Sequence, residues 1–276
     1  MKASKSEAPV TIKKDRMRFP FRLGTTSYII PADIVPNVIA LAERVDDIEL
    51  VLFESESISN LPNRDTVNIL RSVAKEHDLT YTVHFPLDID LCSADERIRV
   101  SSIKQCGRII DLVRPLYPFA FIIHCNEECG AHNPPADDIE SWAGQARRSF
   151  RELAGMVDDP RVFAVETLGY PFHVLESLIR DCGVSVCLDI GHLIMKGYSL
   201  GDHWQTYRDI TRVVHLHGIV NGKDHASLKG LDDNVLETLL TQMRSTSDTE
   251  RVLTIEVFSE SDFNDSCDIL RKYTNG

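Results

Sequence analysis

Residues 184–197 read VSVCLDIGHLIMKG, an apolar run that ends in an aspartate and a histidine. An apolar run bounded by Gly183 and Gly191 is typical of a strand covered on both faces, as in a parallel sheet wrapped by helices. Burying Asp189 beside His192 costs several kcal/mol unless a partner charge or a metal compensates. The pair is therefore either a capped, hydrogen-bonded turn or part of a functional site.

The same pattern of a short apolar run followed by a helical stretch occurs eight times. The apolar runs are RLGTTSYI (22–29), IELVLFES (48–55), TYTVHF (80–85), FAFIIHC (119–125), VFAVETLG (162–169), VSVCLDIGHL (184–193), RVVHLHGI (212–219) and RVLTIEVF (251–258). Eight units of one type, without a long linker, predict an α/β fold, a (β/α)₈ TIM barrel. An open doubly wound sheet stays the alternative.

The composition sets the remaining bounds. The pattern predicts a single barrel domain over 19–276, and the polar, basic residues 1–18 predict a disordered tail, because they lack the apolar segment of a secretory signal. A net charge of −12 disfavours nucleic acid as a partner. No apolar stretch approaches the roughly 18 residues of a membrane span. Seven scattered cysteines, an odd number, indicate a reducing compartment, so we expect a cytoplasmic protein that does not bind a membrane.

Polar side chains of the types that bind metals follow six consecutive strands. Because the carboxyl ends of barrel strands form one rim, these side chains are expected to meet there. They are His84, His124, Glu166, Asp189, His192, His215, His217 and Glu256. The first two strands offer only Ser27 and Glu54, which are weaker candidates.

A single histidine at a strand end is more often a core or capping residue than a ligand. Six successive strand ends of this kind are hard to obtain from packing alone, and a centre of two or three divalent ions needs such a ring. Carboxylates and imidazoles suit zinc or manganese. His215 and His217 are two residues apart and face the same side of the strand, so both could bind, or one could support the other.

Two loops are weaker signals. NGKDH (221–225) begins with Asn-Gly turn chemistry, and either it is a solvated turn or Lys223 and His225 contact metal or substrate. Cys125, Cys129 and His132 could form a small zinc loop, but the spacing is unusual and a fourth ligand is lacking. Ordinary loop cysteines are the favoured interpretation.

The strand ends VHFP, IIHC, VETLG, CLDIGH, VHLHG and IEVF resemble the xylose-isomerase-like barrel superfamily of apurinic endonucleases and sugar isomerases. In the endonuclease branch the corresponding residues bind three zinc ions. The resemblance implies that Glu166 is a bridging carboxylate in a ring of seven ligands: His84, His124, Glu166, Asp189, His192, His215 and Glu256. The endonuclease pattern after the seventh strand is Asp-x-His, whereas Asp224 and His225 are adjacent here, which leaves the third metal open.

Longer stretches resemble the cobamide-remodeling phosphodiesterases. They are FRLGTTSYIIPADIVPNV, VDDIELVLFES, SNLPN, EHDLTYTVHFPLDIDL and SVCLDIGHL. This resemblance implies that the substrate is a small molecule, a corrinoid such as adenosylcobalamin. It implies hydrolysis of the nucleotide-loop phosphodiester to cobinamide phosphate and an α-riboside.

In this hypothesis Glu166 or Glu256 holds the attacking water, while Lys223 or His225 screens the phosphate. Three alternatives stay open. A sugar isomerase or epimerase would use one divalent ion with Glu166 and Glu256 as bases. An endonuclease acting on abasic DNA is disfavoured by the acidic charge. A non-catalytic binding module is disfavoured by the complete ring.

Overall fold

The computed structural model describes residues 16–55, 57–125, 136–246 and 250–274. Within these residues eight parallel strands close a barrel, and each pairs with the barrel strands before and after it in the chain. The barrel strands are β1 Arg22–Thr26, β2 Asp47–Val51, β3 Thr80–His84, β4 Ala120–Ile123, β5 Phe163–Glu166, β6 Ser185–Asp189, β7 Thr211–Leu216 and β10 Val252–Ile255. An antiparallel hairpin, β8 Gly218–Val220 and β9 Lys223–Ala226, follows β7. The predicted barrel is confirmed, and the open sheet is wrong.

Helices cover the outside of the barrel. They are α1 Ile34–Leu41, α2 Arg64–His77, α3 Glu96–Val113, α4 Ala136–Ala154, α5 Glu176–Cys182, α6 Ile190–Met195, α7 Leu200–Tyr207, α8 Asp233–Ser245 and α9 Glu260–Arg271. Polar side chains cap their first turns, as when Asn63 accepts the N–H of Thr66 at 2.9 Å and Ser259 accepts that of Asp262 at 3.1 Å. In the described part of the chain, no helix has the length and apolar character to cross a membrane.

A small apolar cluster fills the lower interior of the barrel. Its members from the strands are Ala120, Ile122, Ala164, Cys187, Val213 and Val252. Side chains two residues apart on a strand share a face, so the layer above this cluster contains polar residues such as Glu166, Asp189 and His215. On β4, β5, β6 and β7 an apolar layer thus lies beneath the polar residues at the carboxyl ends of the strands.

The stretch 184–193 divides at Asp189: β6 ends there, where the polar residues begin, and α6 follows directly because the Asp189 side chain caps it. One predicted boundary differs from the structure. Arg16 donates to the Asp46 carboxylate at 2.9 Å and Met17 is buried, so the last residues of the predicted tail pack on the barrel. Residues 1–15 lie outside the described residues.

Candidate metal centre

Asp189 has two roles at the end of β6. Its Oδ1 accepts the backbone N–H of His192 at 2.6 Å, which is the capped turn. Its Oδ2 is buried without a hydrogen-bond partner among the described residues and lies 3.8 Å from His215 Nδ1 and 4.0 Å from His192 Nδ1. The two interpretations of this stretch are therefore compatible, because one carboxylate oxygen holds the helix and the other faces the barrel axis.

The first group of possible ligands contains His84, His124 and Glu166. His84 Nδ1 lies 2.8 Å from the carbonyl oxygen of Phe85 and donates to it, which leaves Nε2 with a free lone pair. The Nε2 atoms of His84 and His124 are 3.2 Å apart, and Glu166 Oε2 lies 3.6 Å and 2.9 Å from them. Two imidazoles and a carboxylate oxygen thus converge on one point.

The second group contains Glu166, Asp189, His215 and Glu256, all buried. The Nδ1 of His215 lies 3.5 Å from Glu166 Oε1 and 3.2 Å from Glu256 Oε2. Because Glu166 Oε2 faces the first group and Oε1 faces the second, its carboxylate spans both.

The third group contains His192, His217 and His225, with Asp224 beside it. Asp224 lies 3.7 Å from His192 Nε2 through Oδ2 and 3.2 Å from His225 Nδ1 through Oδ1. Neighbouring residues of a strand normally face opposite sides. His225 has a left-handed φ of 53°, which breaks that alternation and lets both side chains face His192. Asp224 therefore lies beside the third group even though it directly precedes His225. In the endonuclease pattern, one residue separates the corresponding aspartate and histidine.

Metal ions fit these three groups. Asp189 Oδ2, His192 Nδ1, His215 Nδ1 and Glu256 Oε2 are buried polar atoms without hydrogen-bond partners among the described residues. An unpaired buried polar atom is costly, and four that converge call for a bound species that carries positive charge. Imidazole nitrogens and carboxylate oxygens in this mixture are the donor set of zinc and manganese.

A protein-family model described as a xylose isomerase-like TIM barrel matches residues 41–273. The chain belongs to this family. Probable endonuclease 4 of Mycobacterium tuberculosis is 26% identical over 209 residues, which is 72% of this chain and 77% of that protein. The corresponding protein of Mycobacterium marinum is 25% identical over 183 residues, 63% of this chain and 67% of that protein.

Solved structures share the barrel of this xylose isomerase-like chain. A D-tagatose 3-epimerase-like protein superposes with a TM-score of 0.75 at 18% identity, covering 92% of this chain and 97% of that one. Endonuclease IV from Thermus thermophilus superposes with a TM-score of 0.65 at 18% identity, covering 92% and 99%. At these identities the likeness shows the fold, which the family uses both for sugar epimerases and for endonucleases.

In the candidate centre of this xylose isomerase-like chain, the histidines and carboxylates shift one another's pKa values toward the charged forms. Burial lowers the pKa of His84, but the Glu166 carboxylate 3.6 Å away and the charge of Glu49 outweigh burial and raise this pKa to about 9. Burial likewise lowers the pKa of His225, and the Glu256 carboxylate 3.5 Å away raises it to about 9. Burial raises the pKa of Glu166, whereas His124 and His215 bring it well below the usual range. An incoming cation therefore has to displace protons from histidines.

Glu49 is a buried member of the centre that the sequence interpretation missed. It lies on β2, and its Oε2 is 2.9 Å from His215 Nε2, with both side chains fully buried. If Nε2–H donates to Glu49, the lone pair of His215 is on Nδ1, which faces the second group. A signal existed, since Glu49 interrupts the apolar run IELVLF at a position that alternation places inside the barrel.

Within the third group, both ring nitrogens of His217 lie close to other protein groups, which leaves His192, His225 and Asp224 as the possible ligands there. Its Nδ1 accepts the backbone N–H of His225 at 3.0 Å, so the proton of the neutral ring is on Nε2, 3.2 Å from Asp189 Oδ1. The ring packs on Gly191, where a Cβ would lie 2.0 Å from His217 Cε1. His217 thus connects the β8–β9 hairpin to Asp189, and Gly191 provides its space.

The other candidates lie apart from the three groups. Lys223 is exposed and does not line the cavity described below. Ser27 accepts the N–H of Val51 at 3.1 Å, and Glu54 is paired with Arg108. Cys125 is buried, whereas Cys129 and His132 lie outside the described residues, so the favoured interpretation, ordinary loop cysteines, stays a prediction.

A cavity of about 710 Å³ opens above the centre. Six residues of the three groups reach its surface: His84, His124, Glu166, His192, His225 and Glu256. Its other lining residues are Val51 at the end of β2 and residues of the loops after β1, β2, β3 and β10. The volume falls within the range of small-molecule sites.

Proposed function

We propose that this chain is a metal-dependent phosphodiesterase, which hydrolyses the nucleotide-loop phosphodiester of a cobamide to cobinamide phosphate and an α-riboside. The observation that carries the proposal is the Glu166 carboxylate, whose two oxygens face two separate ligand groups. Two ions bridged by one carboxylate are an arrangement suited to the in-line displacement of a phosphoester. The names of the M. tuberculosis and M. marinum relatives, probable endonuclease 4, also support phosphodiester hydrolysis.

Bound divalent ions would lower the pKa of water and neutralise charge on phosphoryl oxygens. His84, His124 and Glu166 would hold one ion, and Glu166, Asp189, His215 and Glu256 a second. Glu49 and His217 orient His215 and Asp189. His225 lies 3.5 Å from Glu256 and lines the cavity, where it brings a nitrogen donor to the phosphate.

The substrate proposed is a small molecule and not a nucleic acid. Among the described residues that line the cavity none is lysine or arginine, whereas Glu54 and Asp88 are present. Together with the net charge of −12, this lining offers little attraction to a polynucleotide backbone. The corrinoid itself is proposed from the resemblance of the stretches between residues 21 and 193.

The test is incubation of the purified protein with adenosylcobalamin, followed by chromatography with mass detection. We expect α-ribazole and cobinamide phosphate as products. Glu166→Ala should abolish turnover with an unchanged circular dichroism spectrum, whereas Glu237→Gln, an exposed carboxylate change on α8, should leave the rate unaltered. If the protein cleaves bis(4-nitrophenyl) phosphate but not adenosylcobalamin, the corrinoid is not its substrate. If it cleaves neither and epimerises a ketose, it is an epimerase and not a phosphodiesterase.

A further inference from the structure

Four large apolar side chains stand along one side of the cavity: Tyr28, Phe53, Leu87 and Phe258. Tyr28 is 42% exposed, Leu87 66% and Phe258 43%. A single exposed apolar side chain is ordinary on a protein surface. Several that share one concave site are typical of a binding surface.

The rings continue directly into the metal centre. The centroid of Phe258 lies 5.2 Å from that of His225, and Tyr28 and Phe53 pack edge to face with centroids 6.4 Å apart. A group stacked on Phe258 would therefore be attached close to the phosphorus. Because the described lining has no lysine or arginine, this side of the cavity has no partner for a second anionic group.

We propose that Tyr28, Phe53, Leu87 and Phe258 bind a planar, uncharged aromatic group of the substrate, next to the scissile phosphodiester. The position of the phosphate rests on the proposed function. Two aromatic rings in an offset-stacked or edge-to-face arrangement gain about 0.5–1.5 kcal/mol beyond their buried area, a contribution that a puckered aliphatic ring lacks. Tyr28 and Phe258 are then specificity-determining residues, which select diesters that carry a flat aromatic base.

The test compares two monoanionic diesters of similar size, diphenyl phosphate and dicyclohexyl phosphate, whose affinities for the metal-loaded protein are measured by titration calorimetry. We expect diphenyl phosphate to bind roughly three- to tenfold more tightly, although cyclohexyl groups are at least as apolar. Phe258→Ala and Tyr28→Ala should each remove most of this preference. Tyr117→Asn should keep it, since Tyr117 is 84% exposed and precedes β4 at the other end of the barrel.

Equal affinities in the wild-type protein, or a preference that survives both alanine variants, would overturn the inference. These results are distinct from failure of the proposed function. Binding is measured without turnover, so a protein that prefers diphenyl phosphate but cleaves no phosphodiester would keep the aromatic site and lose the phosphodiesterase.

Discussion

Glu166 is the residue on which the centre depends. It is buried, and its oxygens lie 2.9 Å from His124 and 3.5 Å from His215, on opposite sides of the carboxylate. Two neighbouring residues support candidate ligands: Glu49 contacts His215, and His217 contacts Asp189. These two candidate ligands are each held by a neighbour that does not itself need to touch a metal, which is the usual construction of a metal site.

Removing the charge of Glu49 tests its role. In Glu49→Gln the side chain keeps its size but loses the charge that favours the His215 tautomer protonated on Nε2. Because that tautomer leaves Nδ1 free to bind a metal, we expect metal affinity to fall about 10- to 100-fold. Metal-competition titration measures this. Glu54→Gln is the matched control, because Glu54 follows the same strand but pairs with Arg108. Equal affinities in wild type and Glu49→Gln would show that Glu49 does not orient His215.

Gly191 gives a second test at this scale. The methyl group of Gly191→Ala would lie 2.0 Å from His217 Cε1, so the ring must move away from Asp189. We expect a loss of about 1–3 kcal/mol in the free energy of unfolding, together with weaker metal binding. At Gly144 on α4 a Cβ meets no atom of the described residues within 4 Å, and Gly144→Ala should stabilise the helix by up to about 1 kcal/mol. Chemical denaturation of both variants measures the contrast, and a neutral Gly191→Ala would contradict the packing argument.

The β8–β9 hairpin is the element that completes the third group. Its two-residue turn has left-handed φ values of 54° at Asn221 and 76° at Gly222, which suit an Asn-Gly dipeptide. The turn brings Asp224 and His225 over His192. The element therefore positions two side chains that lie far from His192 in the sequence.

Strain in this turn should affect activity more than strain elsewhere. Gly222→Val and Gly197→Val both place a branched residue at a left-handed φ, 76° and 72°, and in the described part of the chain no atom lies within 4 Å of the added Cβ. Each should cost about 1–2 kcal/mol of stability. Only Gly222→Val should also lower kcat, because Gly197 lies between α6 and α7. Equal kcat losses in the two variants would indicate general destabilisation.

Periodicity predicted the elements better than it predicted their ends. The eight apolar runs predicted the barrel. The structure brings the seven residues predicted at the strand ends close together: His84, His124, Glu166, Asp189, His192, His215 and Glu256. The runs could not show that Asp189 would cap α6, since a cap depends on one hydrogen bond. Glu49 was missed because only strand ends were considered, and the positions of Asp224 and His225 depend on a single left-handed residue.

At the scale of the whole molecule, the centre links stability to pH. The pKa values of His84 and His225 are raised to about 9, above the roughly 6.5 of an unfolded histidine. The folded metal-free protein holds these protons more tightly, so their stabilisation is complete below about pH 6.5 and is lost as pH rises through about 9. We expect the Tm of the metal-free protein to fall over this range, and more shallowly in the double variant His84→Gln, His225→Gln. Scanning calorimetry measures both, and a Tm that rises with pH would contradict the charge assignment.

In the proposed centre, one carboxylate, that of Glu166, joins two metal sites in a single barrel. The most direct measurement is the number of metal ions per chain, by mass spectrometry of the elements, in wild-type protein and in Glu166→Ala, with Glu237→Gln as the control. We expect two or three ions in the wild type and the control, and a loss of at least one in Glu166→Ala. One ion in the wild type, or an unchanged count in Glu166→Ala, would contradict this expectation.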